Sequence, residues 1–152
     1  VAGYALGMAT YQSVTKGDRI VTAPHADRAR RCLAAAELLL RDGFAPDALV
    51  RAHQSTVHAE RALLATERRT PPTAWSVHRL AVAHFIQPGQ IDPAFQARID
   101  ALASLRSLVD EQPRGDADAA DATAAVETAR AFRAAVEAWL AGHGYRGEEV
   151  VR

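Results

Sequence analysis

Two residues four apart, Arg106 and Asp110, are the first in this chain whose types and spacing could do chemistry. On a helix a step of four puts both side chains on one face. The arginine could hold a phosphate and offset negative charge that develops on it, but it does not shuttle protons near neutrality. A histidine can, because its ordinary pKa lies near 6.5. The histidine candidate is His58, in the segment RAHQSTVHAERALL from Arg51 to Leu64. Arg106, Asp110 and His58 therefore form the candidate site. The plainer roles are an ion pair tying one helix to its neighbour and a core or interface histidine with one satisfied hydrogen bond.

Other arginine–histidine spacings recur, as in Arg79 with His84, Arg51 with His58 and Arg19 with His25. An arginine-rich chain with six histidines produces such pairs without any site behind them. His53, His58, His78 and His84 do not form the HExxH zinc signature. No metal and no cofactor is expected, and no phosphate-loop or dinucleotide fingerprint occurs. The single cysteine, Cys32, excludes an internal disulfide and reads as a buried thiol on a helix.

The charge balance is even, with 18 basic and 18 acidic residues. A neutral chain has no whole-molecule field with which to grip nucleic acid, so any such contact must be local. Arg28, Arg30, Arg31, Arg41, Arg68 and Arg69 could make a basic edge, though a solvated surface explains them more simply. Trp75 and Trp139 read as packing anchors. No apolar run is long enough to cross a membrane and no secretory signal is visible, so a cytoplasmic location and no membrane partner are expected.

The elements that must position these residues are helical. Apolar residues recur at steps of three and four from about Pro24 to Asp42, with Gly43 as the stop. A second helix runs from near Pro46 to about Arg68, with Leu49, Ala52, Thr56, Ala59 and Leu63 on one face. Its second apolar line, Val50, Val57 and Leu64, suits a central helix with several partners. A third starts at Thr73 as cap and stops before Pro88 and Gly89. A fourth opens at Asp92 and Pro93, with Phe95, Ile99, Leu102 and Val109 inward and Leu105 and Leu108 beside them. After a polar connection, the last spans roughly Ala119 to Ala141, capped by Asp118 and ended by Gly142. The fold class is all-α, an antiparallel bundle of about five helices. Residues 1–24 read as an arm of uncertain structure, 25–142 as the bundle and 143–152 as a polar tail.

The order of these pieces resembles the HEPN family over roughly residues 25–142. ADRARRCLAAAELLLRDG is similar to the family's opening helix and its glycine stop. RAHQSTVHAERALL resembles the second helix, with His58 at its histidine. FIQPGQIDPAF resembles the connector, matched at Gly89, Ile91 and Asp92, and LRSLVD the late arginine-to-aspartate motif, matched at Arg106 and Asp110. AFRAAVEAWL resembles the closing helix. The resemblance implies an antiparallel bundle, a homodimer, and a nucleotidyltransferase-type partner in a toxin–antitoxin pair. It also implies RNA or a nucleotide as ligand. Many toxic members are metal-independent ribonucleases with a histidine four to six residues after the arginine. Here Arg106 is followed by Ser107, Leu108, Val109, Asp110, Glu111, Gln112 and Pro113, with no histidine. The sequence therefore favours an interaction or RNA- or nucleotide-binding protein without catalytic activity. One alternative is a metal-independent RNA endonuclease with an atypical set drawn from Arg106, Asp110 and His58. Another is a structural helical subunit of a larger assembly.

Overall fold

The computed structural model describes residues 16–112 and 117–145, with side chains from residue 22 onward. Regular structure among them is entirely helical: α1 (Lys16–Arg41), α2 (Ala45–Thr66), α3 (Ala74–Ala81), α4 (Ala94–Glu111) and α5 (Ala119–Gly142). The expected five-helix bundle is what forms. Most of the arm expected over residues 1–24 and most of the tail lie outside the described residues, but α1 begins at Lys16 rather than near Pro24. Pro24 thus sits inside a helix, where it withholds one backbone donor.

Local chemistry explains most helix ends. Gly43 adopts φ +87°, the left-handed conformation that stops α1 and that a side chain would strain. The Thr73 hydroxyl accepts from Ser76 N at 3.1 Å while Ser76 Oγ accepts from Thr73 N at 3.1 Å, a reciprocal cap on α3. Asp118 and Asp121 do the same for α5. Asp92 Oδ1 accepts from Ala94 N at 2.9 Å and so caps α4. Gly142 stays helical, and the turn beyond it is made at Gly144, φ +84°.

α3 does not stop at Ala81 but widens into a π turn over Val82–Ile86, closed by Gln87 N to Val82 O at 2.8 Å. The backbone then folds back so that Ile91 N bonds Phe85 O at 2.9 Å, with Gly89 at φ +83° making the reversal.

α2 is the centre of the bundle and packs against each of the other four helices. Its expected inner face is buried without exception: Leu49, Ala52, Thr56, Ala59 and Leu63. The larger core cluster gathers Leu63, Leu64, Phe85, Ile86, Phe95, Ile99 and Phe132; a smaller one gathers Leu33, Ala36, Leu49, Leu102, Ala125 and Val126. Each large side chain fully removed from water contributes about 1.5–3 kcal/mol. Phe95 meets Phe132 edge-on at 5.4 Å, and Phe85 meets Trp139 edge-on at 5.2 Å. Between α1 and α2 the contact is made by small residues, Ala29, Ala36, Ala52 and Ala59, and Ser55 Oγ donates to Ala29 O at 2.8 Å.

Two large residues are not where the sequence put them. Trp75 is 68% exposed at the start of α3, with the Arg79 guanidinium 4.6 Å from its ring centroid. A position in the first turn of a short helix leaves no neighbour to cover it. Leu108 is also exposed, on the outer side of α4, while Leu105 and Val109 beside it pack against the smaller core cluster.

Candidate functional site: a polar seam between α2, α3 and α4

Arg106 and Asp110 pair as their spacing requires, with Nη1 to Oδ1 at 3.1 Å. The arginine side chain is 25% exposed and the aspartate 55%, so the pair opens to solvent at the aspartate. The histidine facing this pair is His53, not His58. His53 lies on α2, and its pKa is pushed down to about 4, first by burial and then by the positive charges of Arg106 and His78, against the opposing pull of Asp110. It is an uncharged imidazole at neutral pH.

Seven residues on from His53, and so on the same face of α2, stands Glu60. Its carboxylate is wholly buried. Glu60 Oε1 is 2.6 Å from His78 Nδ1 on α3, and His78 Nε2 is 2.7 Å from Asp100 Oδ1 on α4. One imidazole therefore bolts three helices together. The His78 pKa is raised to about 9, mainly by the hydrogen bond to Glu60 and, against the cost of burial, by both carboxylates. The Glu60 pKa is raised as well, by burial, although the bond to His78 opposes this. Both directions say one thing: the pair keeps a proton well past neutrality. Glu60 Oε2 is buried with no hydrogen-bond partner.

His58 lies apart from this seam. Its ring stacks on His25 of α1, centroids 6.1 Å apart and 22° from parallel, with Arg28 and Arg61 acting on it. Of the arginines that could have made a basic edge, Arg30 bonds Glu137 at 2.8 Å, Arg31 pairs with Asp27 at 3.0 Å and Arg69 with Glu67 at 3.0 Å, in keeping with the simpler solvated surface. Cys32 is a buried free thiol, as expected. Among the described residues no group of three or more histidine, cysteine or acidic side chains is placed to hold a metal, and no helix is long and apolar enough to cross a membrane.

The seam holds two histidines pushed to opposite protonation states, one of which, His53, faces Arg106. Glu60, His78, Asp100 and His53 were not singled out by the sequence reading. One signal was present: Glu60 falls in the three-and-four rhythm of Thr56, Leu63 and Leu64, where a carboxylate must find a buried partner.

Arg106 sits on α4, which packs on the central α2. The model of the HEPN domain matches residues 25–139. The chain belongs to the HEPN family. No curated protein and no solved structure matches it. The match to the HEPN domain begins within α1 and ends within α5, so it takes in the whole seam. In this HEPN chain the positions from Ser107 to Pro113 carry no histidine, and the imidazole that faces Arg106 comes from α2 instead.

Proposed function

We propose that this HEPN protein acts by association, holding an RNA phosphate at Arg106 without cutting the strand, as a dimer that works beside a nucleotidyltransferase-type partner. The observation that carries the reading is the state of the seam's two imidazoles, His53 facing the arginine and His78 held between two carboxylates. Cleavage through the RNA 2′-hydroxyl needs one group to take a proton and another to deliver one near neutrality. His53, with a pKa of about 4, is too weak a base. His78 holds its proton, and both of its ring nitrogens are engaged by carboxylates. Arg106 remains as a phosphate-holding group whose tether, Asp110, is solvent-exposed and exchangeable. Exposed Leu38, Phe44 and Leu108 support the association half of the reading, since apolar side chains of this size suit a protein contact.

The test incubates single-stranded RNA with the full chain in the absence of metal, comparing wild type with Arg106→Ala. Retention of the RNA intact, with binding weakened by the substitution, is the expected result. Cleavage abolished by Arg106→Ala in a still-folded protein would overturn the reading in favour of an endonuclease. Light scattering at micromolar concentration is expected to give a dimer, and a strict monomer would remove the self-association part.

A further inference from the structure

On the side of α2 away from the seam, the His58 and His25 rings lie near parallel with centroids 6.1 Å apart; Arg28 stands one helical turn on from His25 in α1 and Arg61 one turn on from His58 in α2. The charges acting on the rings are those of His25, Arg28 and Arg61 on His58 and of Arg61 on His25, and among the described residues no carboxylate acts on either. That is unusual in a chain whose other arginines near α1 are paired with acids. Arg28 is exposed and has no acidic partner among the described residues, and the contact the structure gives Arg61 is Nη1 to Pro71 O at 2.9 Å. Burial, together with the arginines, keeps both rings below the ordinary imidazole pKa. Neutral rings between two guanidinium groups would repel a cation, which argues against a metal.

The tautomer follows from burial. His58 Nδ1 is buried with no hydrogen-bond partner. A proton placed there would be an unsatisfied buried donor, so the neutral ring carries its proton on Nε2. Nε2 is not among the buried unpartnered atoms, so an N–H donor is presented outward beside two guanidinium groups. Donors and positive charge converge, and the acceptor is missing.

We propose that His25, Arg28, His58 and Arg61 form an anion site that takes a phosphate group, separate from Arg106 and independent of the reading given above. Arg28 and Arg61 supply the charge, and the two imidazoles supply N–H donors. The anion stabilises a protonated His25, so binding draws a proton onto that ring, while His58, whose Nδ1 is buried, donates from Nε2 as the neutral imidazole.

The experiment follows the imidazole Cε1–H signals of the full chain by NMR. Inorganic phosphate is titrated in one arm and a short single-stranded oligouridylate in the other, with chloride at equal ionic strength as control. Saturable shifts of the His25 and His58 signals with phosphate mark a site for a free phosphate. Shifts with the oligouridylate alone mark a site for the backbone phosphodiester. Either result supports the proposal if Arg28→Gln, a change at an exposed and unpaired residue, weakens binding about tenfold. The oligouridylate, whose charge is constant, is expected to bind more tightly as pH falls from about 8 to about 5.5. No saturable shift in either arm, an equal shift with chloride, or binding indifferent to both Arg28→Gln and Arg61→Gln would overturn it. Arg106→Ala is expected to leave these shifts unchanged, so failure here is distinct from failure at Arg106.

Discussion

Glu60 and His78 face each other across α2 and α3 at 2.6 Å, with the carboxylate wholly buried and the imidazole largely so. Breaking such a pair from one side leaves a charge without its partner in the core. His78→Leu is therefore expected to cost about 3–5 kcal/mol. Glu60→Leu combined with His78→Leu is expected to recover most of that loss, since no buried charge is then stranded. Urea melts of the two single variants and the double measure the coupling; independent, additive losses would contradict it.

The same pair sets an alkaline limit on stability. In the unfolded chain His78 loses its proton near the ordinary value of about 6.5; in the folded chain it does so at about 9. Between those values the native state binds a proton that the unfolded state does not, so stability falls as pH rises. The contribution is fully present below about pH 6.5 and lost by about pH 9, roughly 1–3 kcal/mol in all. Thermal midpoints across this window should decline in wild type and flatten when Glu60→Gln and His78→Gln are combined, since His78→Gln alone leaves the buried Glu60 with a raised pKa.

His53 works in the opposite direction. Its folded pKa of about 4 lies below the unfolded value, so the unfolded state binds more protons between about pH 6.5 and pH 4, and stability falls on acidification. Replacing His53 with Gln should flatten part of that acid limb by about 1–3 kcal/mol. His25 and His58 act in the same direction, since their pKa values are also lowered, chiefly by burial. An acid limb unchanged in His53→Gln would show that the ring is not desolvated.

Arg106 and Asp110 are expected to couple weakly as a stability element. With the aspartate more than half exposed, solvent screens the pair, and a double-mutant cycle should give about 0.2–1 kcal/mol. A coupling of several kcal/mol would mean that the pair is sealed from water.

The two tryptophans should separate cleanly. Trp139 packs edge-on against Phe85 and stacks on His143 at 3.9 Å, so Trp139→Ala is expected to cost about 2–4 kcal/mol. Trp75→Ala should change stability by only about 0.5 kcal/mol, in line with its exposure. Fluorescence quenching by iodide should report Trp75 as accessible and Trp139 as protected.

The architecture was legible in the sequence because helices are written in local spacing. The α5 stripe of Ala122, Ala125, Ala129, Phe132 and Val136 is buried as its period required, and Thr73, Asp118 and Gly43 end their helices by mechanisms visible in single residues. The seam was not legible, because its members are 18 and 22 residues apart and meet only once α3 has turned back over α2. Arg106 was paired with the wrong histidine for a related reason. His53 and His58 share a helix, but five residues turn the chain by about 140°, onto different faces. Nothing in the local pattern told which of the two faces would meet α4. Trp75 was misplaced because its type suggested burial, whereas its position at a helix start decided otherwise.

The alanine contact between α1 and α2 sets what substitution can do at those positions. Ala29, Ala36, Ala52 and Ala59 are at most 1% exposed, and the helices approach closely enough there for the Ser55 hydroxyl to reach the Ala29 carbonyl at 2.8 Å. A saturation scan there should read as a ceiling on volume and not as a filter on polarity: glycine, serine and cysteine tolerated, valine and anything larger rejected. Ser55, a hydroxyl accepted at the same contact, already obeys that rule. A chain diverging under this constraint would keep the width of the contact while its chemistry drifted, so these columns would look conserved in size long after they ceased to look conserved in letter.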